Sequence, residues 1–397
     1  MSLVPGSQEP VDLAVIGGGV FGLSVARAAV SRGLSVAVFE QGEVGGATSA
    51  NSHCIIHSGI RYLQRASLNK VIDSARALAV WRREFPEEVV HLPCWMPVWR
   101  KWGLKGAAAL GAGHLLYRAT LALAGESGTQ WPGVVTQSRI PDHPLIRRPG
   151  VIAAFGWYDG WLRSHGGVVE KLRGAIVAGE GTIRERCSVA RVTRAARDFF
   201  IETSDGAAVV SRAVVDARGP WVRQSVGEVM ATVDRSWCLG FNVLLSRDIS
   251  GGMGIAVPTG SGRMLFVAPR NSSQANQGSD SVTHRQGLSA IGTGYLPMTG
   301  DTIPLVREED IAAMLSEIND AAKAGGNWSE SLSLGDVVGI ESGVLPRDDR
   351  VVSEVIADPT TRIIGDGRYI VIESGKYTTA PVFGERIAAW VVRELGR

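Results

Sequence analysis

Gly17, Gly19 and Gly22 stand in the order G-x-G-x-x-G, directly after a continuous apolar run and directly before a segment with helical spacing. Glycine at those places lets a backbone turn tightly and come close to a pyrophosphate, whose charge is met by the positive end of the helix. Glu40 follows eighteen residues after Gly22. A carboxylate there can accept hydrogen bonds from a ribose diol and disfavours a phosphorylated ribose. The plainer alternative is a glycine-rich turn beside a surface glutamate, but strand, helix and acid together favour a dinucleotide. NAD and FAD both fit these residues. A second glycine-led turn, at Gly375, precedes the last helical segment and would present N–H groups and a positive dipole to electron-rich atoms.

The elements that must position these residues form a βαβ opening of about thirty residues with a right-handed crossover. The apolar run predicts a strand over 11–16, the small-residue spacing a helix over 20–30, and a second strand spans 35–40. Helical patterning over 68–85 precedes a Pro- and Trp-rich stretch, 93–102, and an Ala/Leu-rich segment to residue 124 that reads as inserted. A helix of mixed polarity is expected over 161–179, then strands over 188–194, 199–203 and 213–216, where the βαβ theme resumes. Residues 237–291 are β-rich and 308–323 form an amphipathic helix. Strands near Gly339 and over 369–373 lead to a terminal helix over 382–395. The fold class is α/β: a Rossmann-type dinucleotide-binding domain with an interleaved mixed or antiparallel β-sheet substrate domain. Residues 1–90, 150–230 and 335–397 are assigned to the first and 91–149 and 231–334 to the second.

Composition narrows the function classes. With 45% hydrophobic and 20% charged residues the chain is an ordinary globular protein, not a disordered or collagen-like one. A net charge of +2 gives no strong field for nucleic acid. Cys54, Cys94, Cys187 and Cys238 are too widely spaced for a zinc site or a thioredoxin-type motif, so reduced thiols in the cytoplasm and no metal are expected. The N-terminal segment lacks the charged-then-apolar order of a signal peptide.

The stretch ATSANSHCIIHSGIRYLQ, 47–64, resembles the segment that lies over the flavin in FAD-dependent glycerol-3-phosphate dehydrogenases. VVDARGPWV (214–222), SAIGTG and SGKYTT (374–379) resemble further motifs of that family, within the wider D-amino acid oxidase-like superfamily. The resemblance spans nearly the whole chain and implies FAD, bound noncovalently. By matching position it implies that Thr48, Ser49 and Ser52 reach the pyrophosphate and flavin, Val189 the adenine, and Gly219 with Trp221 the diphosphate. Gly375, Lys376, Tyr377 and Thr378 would meet the isoalloxazine.

Three departures bear on the substrate. Leu345 precedes Pro346 of an SGV-x-P turn where the family usually has an arginine holding a phosphate or carboxylate. Asn242 replaces a histidine of the substrate-domain strand, and Ala380-Pro381 replaces the arginine after the paired threonines.

Flavin oxidation of an alcohol or amine needs hydride delivered to the ring while a base receives the O–H or N–H proton. His57 is the leading base, since imidazole titrates near neutral pH; orienting the flavin or packing is its alternative role. Arg61 could hold a substrate oxygen or phosphate through its planar fork, or be structural. Lys376 could contact flavin or substrate, and Arg347, two residues past Leu345, could supply a displaced positive charge. His53 is read as a hydrogen-bonding or packing residue rather than a covalent flavin link. The stretch 95–123, with tryptophans, Arg100, Lys101, Lys105 and Arg118, is read as a wall of the substrate domain; peripheral membrane contact is open but not favoured.

The expected function is hydride removal from a CH–OH group of a small, phosphorylated or sugar-like metabolite, with oxygen or a quinone as electron acceptor. Amine or amino acid oxidation, and flavin binding without turnover, are the alternatives.

Overall fold

The computed structural model describes residues 9–60, 62, 67–103, 105–123, 132–223, 235–271, 287–326, 328, 331–351, 355–358 and 360–397. The chain forms two compact units: Met1–Asn51, His165–Cys238 and Gly343–Arg397 make the first, Ser52–Ser164 and Leu239–Ser342 the second. Residues 52–90 and 150–164, grouped by sequence with the glycine motif, lie in the second unit. Backbone pairing explains this, because Ile55–Ile56 and Ala153–Leu162 hydrogen-bond within the second sheet.

In the first unit Val11–Ile16 is the central strand. It runs parallel to Val36–Phe39 on one side and Ala208–Asp216 on the other, with Val15 opposite Val38 and Val215. A strand covered on both faces needs apolar residues throughout, which is why VDLAVI reads as a continuous run. Tyr369–Ser374 extends the parallel set beyond Ala208–Asp216, and Thr182–Arg184 beyond Val36–Phe39. Val189–Ala195 and Asp198–Thr203 form an antiparallel hairpin on Ala208–Asp216. The helix Val20–Val30 packs on this sheet and against the helices His165–Ala178 and Ala380–Glu394. The last begins two residues before the expected 382, because Pro381 sits in its first turn, where a missing N–H costs nothing.

The second unit is built on a mixed nine-stranded sheet. Its central strands alternate strictly between two cores. Ile255, Val257, Leu265 and Val267 face one core with the helix Glu308–Lys323. Ala256, Phe266 and Ala268 face the other, with the helices Leu68–Glu84 and Ala107–Leu123. The expected helix 161–179 is shorter than its pattern: Trp161 and Leu162 finish the strand Ala153–Leu162, and the helix starts at His165. Glycines make that strand possible. A Cβ on Gly156 would lie 2.6 Å from the Trp95 ring, and one on Gly160 2.9 Å from Leu78 Cδ1.

The first helix is anchored by a similar approach. A Cβ on Gly384 would stand 2.7 Å from the Ser24 carbonyl oxygen, so the helices Val20–Val30 and Ala380–Glu394 touch backbone to side-chain-free backbone. Replacing Gly384 gains about 1 kcal/mol of helix propensity at most. Overpacking against main chain costs more, so Gly384→Val is expected to lower the free energy of unfolding by about 2 kcal/mol in urea denaturation. A variant as stable as the parent would show that the helices separate without cost.

Candidate functional site

The glycine motif of the first unit is a turn that no side chain could occupy. Gly17 has φ +100°, and a Cβ on it would lie 2.6 Å from the Ala217 carbonyl oxygen. A Cβ on Gly22 would collide with the Gly17 carbonyl oxygen. Gly19 caps the helix Val20–Val30, and its first amide, Val20 N–H, donates to Ser49 Oγ at 3.1 Å. No described residue accepts from the amides of Phe21 and Gly22. The Glu40 carboxylate is held on both oxygens, by Gly18 N–H at 2.7 Å and Gly42 N–H at 2.8 Å. Each oxygen keeps a further lone pair. A side-chain-free cradle at a helix N-terminus beside an oriented carboxylate fits a dinucleotide diphosphate and its ribose.

The loop after Tyr369–Ser374 is braced by hydroxyls. Ser374 Oγ meets Thr361 Oγ1 at 2.9 Å and accepts from Lys376 N–H at 3.2 Å, and Thr361 Oγ1 meets Thr379 Oγ1 at 2.9 Å. Gly375 is fixed by space, since a Cβ would lie 2.5 Å from the Asp358 carbonyl oxygen. Lys376 and Thr378 are buried and Tyr377 half-buried. His165, which sequence reasoning missed, ties this loop to the one after Glu40. Its Nε2 lies 3.0 Å from Gly45 O and its Nδ1 3.1 Å from the Tyr377 hydroxyl. Burial pushes the imidazole below its ordinary value, against the opposing pull of the Gly45 carbonyl, so it is neutral. A carbonyl only accepts, so Nε2 carries the proton, Nδ1 accepts from Tyr377 O–H, and the Tyr377 oxygen is left as an acceptor.

The remaining expected residues of this unit are spread along it. Thr48 packs on Gly343, where a Cβ would meet its methyl at 2.9 Å. Val189 opens a strand opposite Thr203. Gly219, at φ +60°, opens the short helix Gly219–Arg223 that carries half-buried Trp221. Residues 343–346 end the strand Val337–Pro346 rather than forming a turn. Arg347 follows with Nε 4.0 Å from Asp349, near the Cys238 thiol, which burial pushes up to about 12 against the pull of Arg347 and Arg235.

The second unit holds an acid–base pair. His57 Nδ1 is 2.9 Å from Asp159 Oδ2, while Asp159 Oδ1 accepts from Ser58 N–H at 2.8 Å and from Ser58 O–H at 2.6 Å. Tyr117 O–H donates to the Ser58 carbonyl at 2.6 Å. Burial pushes the Asp159 carboxyl up, but the His57 bond and the Ser58 bonds outweigh it and hold it below the usual aspartate range. The carboxylate therefore keeps a proton on Nδ1, so that in the neutral ring the lone pair is on Nε2.

Beside this pair lies a buried polar network. Arg270 donates to His53 O at 2.7 Å, Ser52 O at 3.1 Å and Glu341 Oε2 at 2.8 Å. Asn242 Nδ2 approaches Glu341 Oε2 at 3.5 Å, and Thr293 O–H donates to Asn242 Oδ1 at 3.2 Å. The ring nitrogens of His53 are buried near Asn242 and the Phe266 carbonyl without a well-formed hydrogen bond. Burial, Arg270 and His57 push this imidazole well below its ordinary value, so it is neutral. Phe266 presents its ring edgewise to both His53 and His57, each at 6.1 Å.

Ser52 thus belongs to the second unit, where its Oγ accepts from Cys54 N–H at 3.3 Å. Arg61 lies outside the described residues. Asp159 and Arg270 were legible in principle, each as the single charge in a strand of aromatic or aliphatic residues. His165 carried no such signal. All four cysteines are free and buried.

Residues 12–390 match the family described as FAD dependent oxidoreductase, DAO. Glycerol-3-phosphate dehydrogenase 1 of Mycobacterium tuberculosis is 26% identical over 355 residues, covering 85% of this chain and 63% of that protein. The mitochondrial glycerol-3-phosphate dehydrogenase of Homo sapiens is 27% identical over 402 residues, covering 93% of this chain and 51% of that protein. The chain thus spans between half and two thirds of the length of these relatives. Among solved structures, the FAD complex of glycerol-3-phosphate dehydrogenase from Bacillus halodurans is similar in fold, with TM-score 0.65 and 19% identity over 98% of this chain and 66% of that one. Glycine oxidase from Geobacillus kaustophilus aligns with TM-score 0.66 and 17% identity, over 97% of this chain and 95% of that one.

A carboxyl whose folded pKa is depressed stabilises the fold fully above the unfolded value, about 3.9, and loses that contribution as pH falls through the folded value. Asp159→Asn is therefore expected to cost about 2 kcal/mol in urea denaturation at neutral pH. The gap between variant and parent should narrow as pH falls below the unfolded value, about 3.9; a gap independent of pH would remove the ionised carboxylate from the account.

Proposed function

The chain belongs to the FAD dependent oxidoreductase family, and we propose that it removes hydride from a CH–OH carbon of a small polar metabolite. The observation that carries this reading is the His57–Asp159 pair, an imidazole oriented through Nδ1 by a buried carboxylate. Bound FAD supplies the hydride acceptor. His57 Nε2 takes the hydroxyl proton, and Asp159 stabilises the imidazolium that forms, as a carboxylate behind a histidine does in other proton transfers. The 25–27% identical glycerol-3-phosphate dehydrogenases support alcohol over amine chemistry.

Within the first unit, Gly17, Gly19 and Gly22 hold the diphosphate, with Thr48, Ser49, Gly219 and Trp221 around it. Glu40 accepts from the ribose diol, and Val189 lies against the adenine. Gly375, Lys376, Tyr377 and Thr378 hold the ring system, Tyr377 as a hydrogen-bond acceptor because His165 claims its proton. FAD is noncovalent: Ser52 and His53 act through the second unit's own network. Arg61 and Arg347 supply positive charge to an anionic substrate, since Leu345 cannot.

Glu40→Ala is expected to weaken FAD binding by about tenfold to a hundredfold when apoprotein is titrated by flavin fluorescence; equal affinity would remove Glu40 from the ribose site. Acid precipitation should leave the yellow colour in the supernatant.

An anaerobic screen of polyols, sugar phosphates, hydroxy acids and amines tests the reaction. A hydroxyl substrate is expected to bleach the 450 nm-type absorbance, and His57→Gln should slow bleaching by about a hundredfold or more with FAD still bound. Arg61→Ala should raise the half-saturating concentration of an anionic substrate at unchanged limiting rate. Bleaching by amines alone would replace the reading with amine oxidation, and bleaching by nothing would leave a flavin-binding protein without turnover.

A further inference from the structure

The helix Ala107–Leu123 has two apolar faces, and only one of them is covered. Leu110, Tyr117 and Leu121 are buried in the core beneath the sheet. At about 100° per residue, Ala108, Ala112, Leu115, Leu116, Ala119 and Leu123 share an arc of roughly 100° on the opposite side. All six are exposed. The leucines are the informative members, because Leu115, Leu116 and Leu123 keep 67%, 52% and 88% of their surface open. A surface helix ordinarily turns charged or polar residues outward; here Arg118 and Thr120 stand only at the margins of the apolar arc. A contiguous exposed apolar face of this kind marks an interaction surface.

Charge identifies the partner. Arg100, Lys101 and Lys105 precede the helix and Arg118 lies on it, all four exposed, and no aspartate or glutamate occurs from residue 95 to residue 124. Trp102 is 71% exposed, with Lys101 Nζ 5.2 Å from its ring centre. In a two-fold contact between copies the same patch meets itself, so these four cations would be brought toward like charges. An anionic bilayer supplies what the face lacks: hydrocarbon for the leucines, a headgroup layer for the tryptophan, and negative charge for the cations. The helix has seventeen residues, and no helix among the described residues is long and apolar enough to cross a membrane. Its geometry is that of an element lying in the interface plane.

We propose that the helix Ala107–Leu123, together with Arg100, Lys101, Trp102 and Lys105, is a peripheral docking surface for anionic phospholipid membranes. Part of the stretch that its composition makes a wall of the substrate domain is such a wall on its buried side; the exposed side is the lipid-facing one. The inference stands apart from the choice of substrate, because the exposed residues of the helix and the cations before it belong to neither the acid–base nor the dinucleotide site; the helix reaches the former only from its buried side, through Tyr117.

Flotation of the FAD-loaded protein with phosphatidylcholine vesicles, with and without phosphatidylglycerol, tests it. Phosphatidylglycerol is expected to raise the bound fraction about tenfold or more, and raising the salt should reverse the gain. Leu115→Glu/Leu116→Glu should lose that binding while keeping the yellow absorbance and the unfolding temperature. If that variant does not fold, Lys101→Glu/Lys105→Glu carries the same expectation. The proposal is overturned if the protein ignores phosphatidylglycerol vesicles, if the variants bind as the parent does, or if binding is equal on both vesicle types. It is also overturned if analytical ultracentrifugation shows a lipid-free dimer that Leu115→Glu/Leu116→Glu dissociates, which would give the face to a second copy.

Discussion

A diphosphate is recognised by main-chain amides only if the chain can be brought up to it without side chains in the way. In this protein the requirement is met by one contact, the packing of Gly22 directly on the Gly17 carbonyl, with Gly17 itself against Ala217. That contact fixes the angle at which the helix Val20–Val30 leaves the first strand and therefore where its positive end points. The neighbouring parts follow from it. Ser49 can reach the first amide of the helix, and Glu40, at the end of the adjacent parallel strand, can be gripped by Gly18 and Gly42. The Gly384 approach to Ser24 holds the other side of the same helix. A single methyl group in any of these places would have to be accommodated by moving backbone, which close-packed interiors resist.

Elsewhere the molecule uses buried charge to set positions. An ion pair taken out of water costs much of what its attraction returns, so its net contribution to stability is small. What it does supply is a defined geometry. Arg270 spends its donors on the carbonyls of Ser52 and His53 and on Glu341, which pins the start of the segment that delivers His57. Asp159 then fixes the His57 ring from the neighbouring strand. Arg235 between Asp358 and Glu373 does the equivalent in the first unit, beside the turn at Gly375. The His165 bridge between Gly45 and Tyr377 adds a neutral link of the same kind.

Which of these features could be read from sequence depends on how local their cause is. The strand Val11–Ile16 and the helices Val20–Val30 and Glu308–Lys323 follow from periodicity and glycine placement within a few residues, and their bounds agree with the expectation. The strand Ala153–Leu162 takes Trp161 and Leu162 from the expected helix because its pattern, FGWYDGW, is set by distant partners: Trp95, Leu78 and Ile56 occupy the space its glycines leave. The segment ending at Pro346, a turn only by its resemblance to the family's SGV-x-P motif, is kept extended by pairing in the second sheet. The placement of residues 52–90 failed for a similar reason, since two short residues of strand, Ile55 and Ile56, decide which sheet the segment joins. His57 was found from its neighbours in the chain, whereas Asp159, 102 positions away, becomes its partner only through the fold.

The absence of an arginine at Leu345 raises the question of whether Arg270 takes its place. The geometry argues against it. Arg270 is buried, its charge is matched by Glu341 at 2.8 Å, and its two terminal nitrogens already donate to protein oxygens. His53 beside it is neutral, and Asn242 carries no charge. A phosphate or carboxylate brought against this network would meet a cation that is already paired and would have to displace Glu341 to gain from it, leaving a buried carboxylate uncompensated at a cost of several kcal/mol, roughly 3–5. Arg270 is therefore a positioning residue for the 52–57 segment. The positive charge for an anionic substrate has to come from residues that are not committed in this way, and a substrate recognised through hydroxyl groups needs none.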